Sequence, residues 1–135
     1  MSTAANFAST PRSGSIQVNT ANTNQDGSTG SRASVFVAGT NGSRVDSVKI
    51  KGITAAGSTQ SADEVKLWLY DGTTAHPLAS QLIAAGGGNV SATVANAEYT
   101  LALGIQLPNG WTLQASTYVG GATASYHVTA FGGDY

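Results

Sequence analysis

The chain contains no cysteine. That excludes a disulfide framework, thiolate zinc sites and cysteine nucleophiles. Charge is also scarce. Lys, Arg, Asp and Glu make up 10% of the 135 residues, against about 25% in an ordinary soluble domain. The six basic residues are Arg12, Arg32, Arg44, Lys49, Lys51 and Lys66, all in the first half. They are interleaved with Asp26, Asp46, Asp63 and Glu64, so no basic patch forms to attract nucleic acid. No apolar run approaches the ~20 residues of a membrane helix. The opening MSTAANFASTPRSGS has neither the basic start nor the apolar core of a signal peptide. These absences predict a soluble protein made in the cytoplasm, with neither nucleic acid nor membrane as a partner. The glycosylation sequons at Asn41 and Asn89 then read as chance matches.

What remains is short, polar and β-patterned. The length suits one domain with one core. Residues 1–13 read as an extended arm, small and polar, with Phe7 as its anchoring aromatic and Pro11 near its end. From Gly14 onward apolar residues alternate with polar ones. Ile16 and Val18 share a face, as do Val35 and Val37, and Val48 and Ile50. Val65, Leu67 and Leu69 line one side of a strand whose other side carries Lys66, Trp68 and Tyr70. The cleanest row is Tyr99, Leu101, Leu103, Ile105 and Leu107, and the last is Tyr126, Val128 and Ala130. Period two marks strands with one buried face. Between them Gly, Asn and Asp supply reversals, PNG at 108–110 being a hairpin signal. The stretch HPLASQLIAAGGG fits a strand or one helical turn; Pro77 and the glycine triplet oppose a long helix. The expectation is all-β, about eight antiparallel strands in a sandwich or barrel over residues 14–135.

Motifs that carry chemistry are few. His76 and His127 lack spaced carboxylate or cysteine partners for a metal. No GxSxG elbow is present, and AAGGGNV lacks the lysine and hydroxyl residue of a phosphate loop. Asp63 and Glu64 are adjacent, so along a strand they point to opposite faces and form no acid/base pair. NTNQDG at 22–27 places Asn22, Asn24 and Asp26 at alternate positions, as a calcium loop does. A calcium loop of that type ends on a glutamate at its twelfth position, which here is Ala33. The stretch therefore reads as a long exposed connection whose side chains bond their own backbone. No enzyme activity, cofactor or metal is expected. The aromatics Trp68, Tyr70, Trp111, Tyr118 and Tyr126 serve either the core or a contact with another subunit.

The chain resembles a group of small head-associated proteins of tailed bacteriophages. The residues that carry this are NFASTPRSG at 6–14, TANTNQDGSTG at 20–30, GSRVDSVKIK at 42–51, LYDG at 69–72, LPNGWTLQAST at 107–117 and the terminal GGDY. The resemblance implies a capsid decoration, or cement, protein: a jelly-roll sandwich on the outer capsid surface of the virion that bridges major capsid proteins. It also implies self-association as a dimer or trimer, and termini that reach the shell. Phe7, Pro11, Arg12, Trp68, Tyr70, Trp111 and Tyr118 are the candidate capsid or subunit contacts. The alternative is a carbohydrate- or receptor-binding jelly-roll domain of a head or tail fibre, with Trp111 and Tyr118 as its platform. A small glycoside hydrolase is a third reading, and it lacks a visible carboxylate pair.

Overall fold

A computed structural model describes residues 8–54, 58–87 and 96–135. It contains eight strands: β1 (Thr10–Val18), β2 (Ala33–Val37), β3 (Ser43–Gly52), β4 (Asp63–Tyr70), β5 (Ala75–Ile83), β6 (Glu98–Leu107), β7 (Thr112–Thr117) and β8 (Tyr126–Asp134). They form two four-stranded sheets, β1-β8-β3-β6 and β2-β7-β4-β5.

The pairing has a simple logic. Each strand of the first half is antiparallel to its mirror in the second: β1 with β8, β2 with β7, β3 with β6 and β4 with β5. The chain is thus one long ribbon folded back at residues 71–74 and then rolled up. The β3–β8 and β4–β7 pairs join the ribbon's rungs into sheets. This winding is that of a jelly roll. At the fold of the ribbon the Asp71 carboxylate accepts the N–H groups of Thr73 and Thr74, both at 2.8 Å. Gly72 there has φ of +98°, which a side chain would strain.

Inward rows from the two sheets interdigitate. Val45, Val48, Ile50, Val65, Leu67, Leu113, Tyr126 and Val128 are wholly enclosed. Tyr99, Leu101, Leu103 and Ile105 of β6 pack against that core as expected, half-buried because β6 is an edge strand. The stretch that fits strand or helix is β5, also an edge, where Pro77 costs no interior hydrogen bond.

Two expectations are corrected. Val35 and Val37 do not share a face: Val35 and Phe36 are buried, and Val37 is 53% exposed. The register between β2 and β7 shifts between Ser34 and Phe36, so Val35 is an extra residue that breaks the alternation. The expected arm is also too long. Thr10 to Ser13 already pair with Asp134 to Phe131, so β1 starts within it. Phe7 lies outside the described residues.

On one side the sandwich closes tightly. A Cβ on Gly14 of β1 would sit 2.1 Å from the Val35 carbonyl oxygen of β2. Only a residue without a side chain permits that approach. Gly14→Ala is expected to cost about 1–3 kcal/mol through overpacking, read as a lower urea midpoint with unchanged slope.

Candidate functional site

Residues 19–32 form a lid over the outer face of the second sheet rather than an open connection. The lid is built from side chains bonding to nearby backbone. Asn22 Oδ1 accepts the N–H of Asn24 (3.0 Å), Asn24 Oδ1 those of Asp26 (3.1 Å) and Gly27 (2.7 Å), and Asp26 Oδ1 that of Ser28 (2.9 Å). These are the Asx turns that Asn and Asp favour. The bonds from Ser28 hold the Asp26 carboxyl below its ordinary value. Arg32 ties the lid down, donating to the Gly27 carbonyl and to Gln114 Oε1, both at 3.0 Å. Its guanidinium lies 5.9 Å from the Trp68 ring centre and 6.0 Å from that of Tyr70.

Beneath the lid, Trp68 is fully enclosed, and its indole N–H donates to Ser116 Oγ at 2.8 Å. Gly27 packs against it, where a Cβ would come within 3.0 Å of the ring. Trp68 is therefore core, under its own chain's cover, and is withdrawn from the contact residues. The lid stretch is corrected in the same way, since Asn22 and Gly27 are buried rather than exposed.

One end of the sandwich holds a buried polar network. Asp63 opens β4 on the inward row shared with Val65 and Leu67. Its Oδ1 accepts the N–H groups of Glu64 (2.7 Å) and Val119 (2.9 Å). Its Oδ2 accepts the hydroxyls of Thr117 and Tyr126, the latter at 2.9 Å. Gln60 then donates to the Tyr126 oxygen at 3.0 Å and to the Thr123 carbonyl at 2.9 Å. Burial, reinforced by the Asp63 charge, pushes the Tyr126 hydroxyl far above its ordinary pKa. The network clamps β4, β7 and β8 together and leaves Asp63 no oxygen without a donor. Glu64 points outward and pairs with Lys66 at 2.7 Å, so the adjacent acids do diverge. Asp63→Asn would set an amide donor against existing donors. It should cost about 3 kcal/mol in a denaturant titration, and Tyr126→Phe less.

The other end gathers several candidate contacts. It is formed by the starts of β1, β3, β5 and β7 and the ends of β2, β4, β6 and β8. Pro11 is exposed there, opposite Gly133. Arg12 turns inward, over the Phe36 ring at 4.5 Å, and reaches both Asp134 oxygens at 2.8 and 3.0 Å. It serves this fold before any partner. Asp134 also accepts from Ser43, and that bond, with Arg12, holds its carboxyl below the usual range. Tyr70 is half-buried, donating its hydroxyl to the Gly72 carbonyl at 3.0 Å. Trp111 is half-buried too and stacks on His76, with ring centres 6.3 Å apart. Tyr118 is 45% exposed but lies beyond the opposite end of β7. Six strand residues span about 20 Å, so Trp111 and Tyr118 form no shared platform.

The described part of the chain also begins at this end, where the Ser9 N–H donates to the Asp134 carbonyl at 2.8 Å. Here too the Asp71 carboxyl is depressed to about 2 by the Thr74 N–H, the His76 ring and the Thr73 N–H. A depressed carboxyl adds stability above its unfolded pKa of about 4, and that contribution disappears as pH falls through about 2. Thermal stability should therefore drop across this window. Asp71→Asn, which keeps the acceptor oxygen but not the charge, should make the drop shallower.

Among the described residues, no group of three or more His, Cys, Asp or Glu side chains is placed to hold a metal ion. No protein-family model matches the chain. No curated protein matches it either. Among solved structures, a chain from the crystal structure of the T13 IBDV viral particle is similar, with a TM-score of 0.37 and 13% identity. The match covers 94% of this chain and 32% of that one, so this chain spans about a third of its length.

Proposed function

We propose that this chain is a structural virion protein that decorates and stabilises a bacteriophage capsid, bridging major capsid proteins on its outer surface. The observation that carries this reading is the convergence at one end of the jelly roll. Pro11, Tyr70 and Trp111 all lie at that end, and the described part of the chain begins there. The resemblance to head-associated phage proteins gives that end its partner. A surface of Ser, Thr, Asn and Gly with little charge suits many weak contacts repeated over a shell, where avidity replaces one tight site. The polar groups clustered at Asp63 bond to one another and to the backbone, which suits a protein whose task is to stay folded.

The test uses capsids that lack this protein. Added protein should bind them and raise the temperature at which they lose their contents. Removing residues 1–9, which precede β1, should weaken attachment at least tenfold while leaving the thermal melt of the free protein unchanged. Trp111→Ala should weaken it further. Protein that neither binds nor protects capsids, but binds glycans through Trp111, would favour the carbohydrate-binding reading. The half-exposed Trp111–His76 stack is the feature that supports that second reading.

A further inference from the structure

Asparagine is a chemically labile residue, most of all before glycine. The following nitrogen can close a five-membered ring on the asparagine side-chain carbonyl, and glycine has no Cβ to shield it. The sequence holds two such pairs, Asn41–Gly42 and Asn109–Gly110. The fold treats them unequally. Gly42 is buried, and its N–H donates to the Gly39 carbonyl at 2.9 Å. Its own carbonyl accepts the Tyr135 N–H at 3.2 Å. The Gly42 nitrogen could attack only after leaving that packed, bonded position. Asn109 and Gly110 are both exposed. They are the middle of a turn closed by the Trp111 N–H on the Pro108 carbonyl at 3.0 Å. Gly110 has φ of +88°, as the third residue of a type II turn requires. Among the described residues its N–H has no acceptor, and open space surrounds the place of a Cβ. The two Asp–Gly pairs are no rivals, because a carboxylate is a poorer electrophile than an amide. Both are also engaged: Asp26 Oδ1 accepts from Ser28, and Asp71 Oδ1 from Thr73 and Thr74.

We propose that Asn109 is a site of spontaneous deamidation, and that the fold protects Asn41 from the same reaction. The Gly110 nitrogen attacks Asn109 Cγ. An N–Cγ bond forms, the Cγ–Nδ2 bond breaks, and Nδ2 leaves as ammonia with the proton from the Gly110 N–H. A succinimide ring remains, and water opens it at either carbonyl. Opening at Cγ gives aspartate in an ordinary backbone. Opening at the main-chain carbonyl gives isoaspartate, with the chain routed through Cβ and Cγ. Either product adds a negative charge two residues before Trp111. A Cβ on Gly72 would lie 3.8 Å from the Gly110 carbonyl oxygen, so this turn sits beside the one that carries Asp71. The new carboxylate joins an acid whose donors, Thr73, Thr74 and His76, are already taken. Isoaspartate also lengthens the turn by one backbone atom. The Trp111–Pro108 bond and the Trp111–His76 stack both have to adjust to it. The end that holds the half-exposed tryptophan therefore changes charge and shape with age. This inference concerns the free chain and stands apart from the virion reading.

The test follows the folded full chain at mildly alkaline pH, with chymotryptic peptides weighed at intervals. The peptide holding Asn109 should gain one mass unit and split into aspartate and isoaspartate forms. The Asn41 peptide should lag on the order of tenfold, because its nitrogen must first give up a buried hydrogen bond. In denaturant the two should convert at similar rates. Isoelectric focusing of the folded chain should show an acidic form growing in step with the Asn109 product. Asn109→Gln, whose ring closure is slower, should suppress that form without moving the thermal melt. Asn41 converting as fast as Asn109 in the folded chain would overturn the proposal. So would an Asn109 that converts only in denaturant, or an acidic form that grows unchanged in Asn109→Gln.

Discussion

Mirror pairing of the two halves of the chain is the constraint on which everything else rests. Backbone groups taken out of water must find partners, and across the described residues strands and turns supply them. The ribbon solution brings distant segments together: Thr10 sits beside Asp134 and Ser43 beside Leu107. Such pairing has little local reward until the roll is closed, because loop-closure entropy must be met first. The polar clamps fall where closure has to be secured. Asp71 holds the fold of the ribbon, Asp134 ties Arg12 to Ser43 at one end, and Asp63 ties three strands at the other. A protein without disulfides gains definition from such bonded networks.

The same winding decides where function can lie. It sends every second loop to the same end, so residues far apart in the chain come to share a surface. Pro11, Tyr70 and Trp111 are brought to the same end in this way, while Tyr118 is carried off to the opposite end. It also leaves the two sheets unlike. The outer face of β2-β7-β4-β5 is capped over Trp68 by the lid, whereas β6 closes one edge of the other sheet with nothing beyond it among the described residues.

Much of this was legible in the residues, and the failures share a cause. The rows Tyr99 to Leu107 and Tyr126 to Ala130 read correctly because their side chains alternate and the structure preserves that alternation. Val35 and Val37 misled because a bulge is a backbone event with no residue signature there. Thr10 to Ser13 looked like an arm because their pairing is made by backbone and by a salt bridge to a residue 122 positions away. Trp68 showed its apolar surroundings, but its cover is a stretch of Asn, Asp and Gly, which reads as solvent-facing until its self-bonding is seen. Asp63 was the most recoverable miss. It stands two residues before Val65 on an inward row, and an acid in that register signals a buried network.

The central claim is that this jelly roll sits on a capsid with its β1-start end toward the shell. An image reconstruction of the particle tests it most directly. The account predicts an outer density that fits the two-sheet sandwich, with Trp111 and the chain's N-terminal end facing the major capsid protein. An outer shell without such density, or a sandwich bound by its Tyr118 end with Trp111 pointing to solvent, would contradict it.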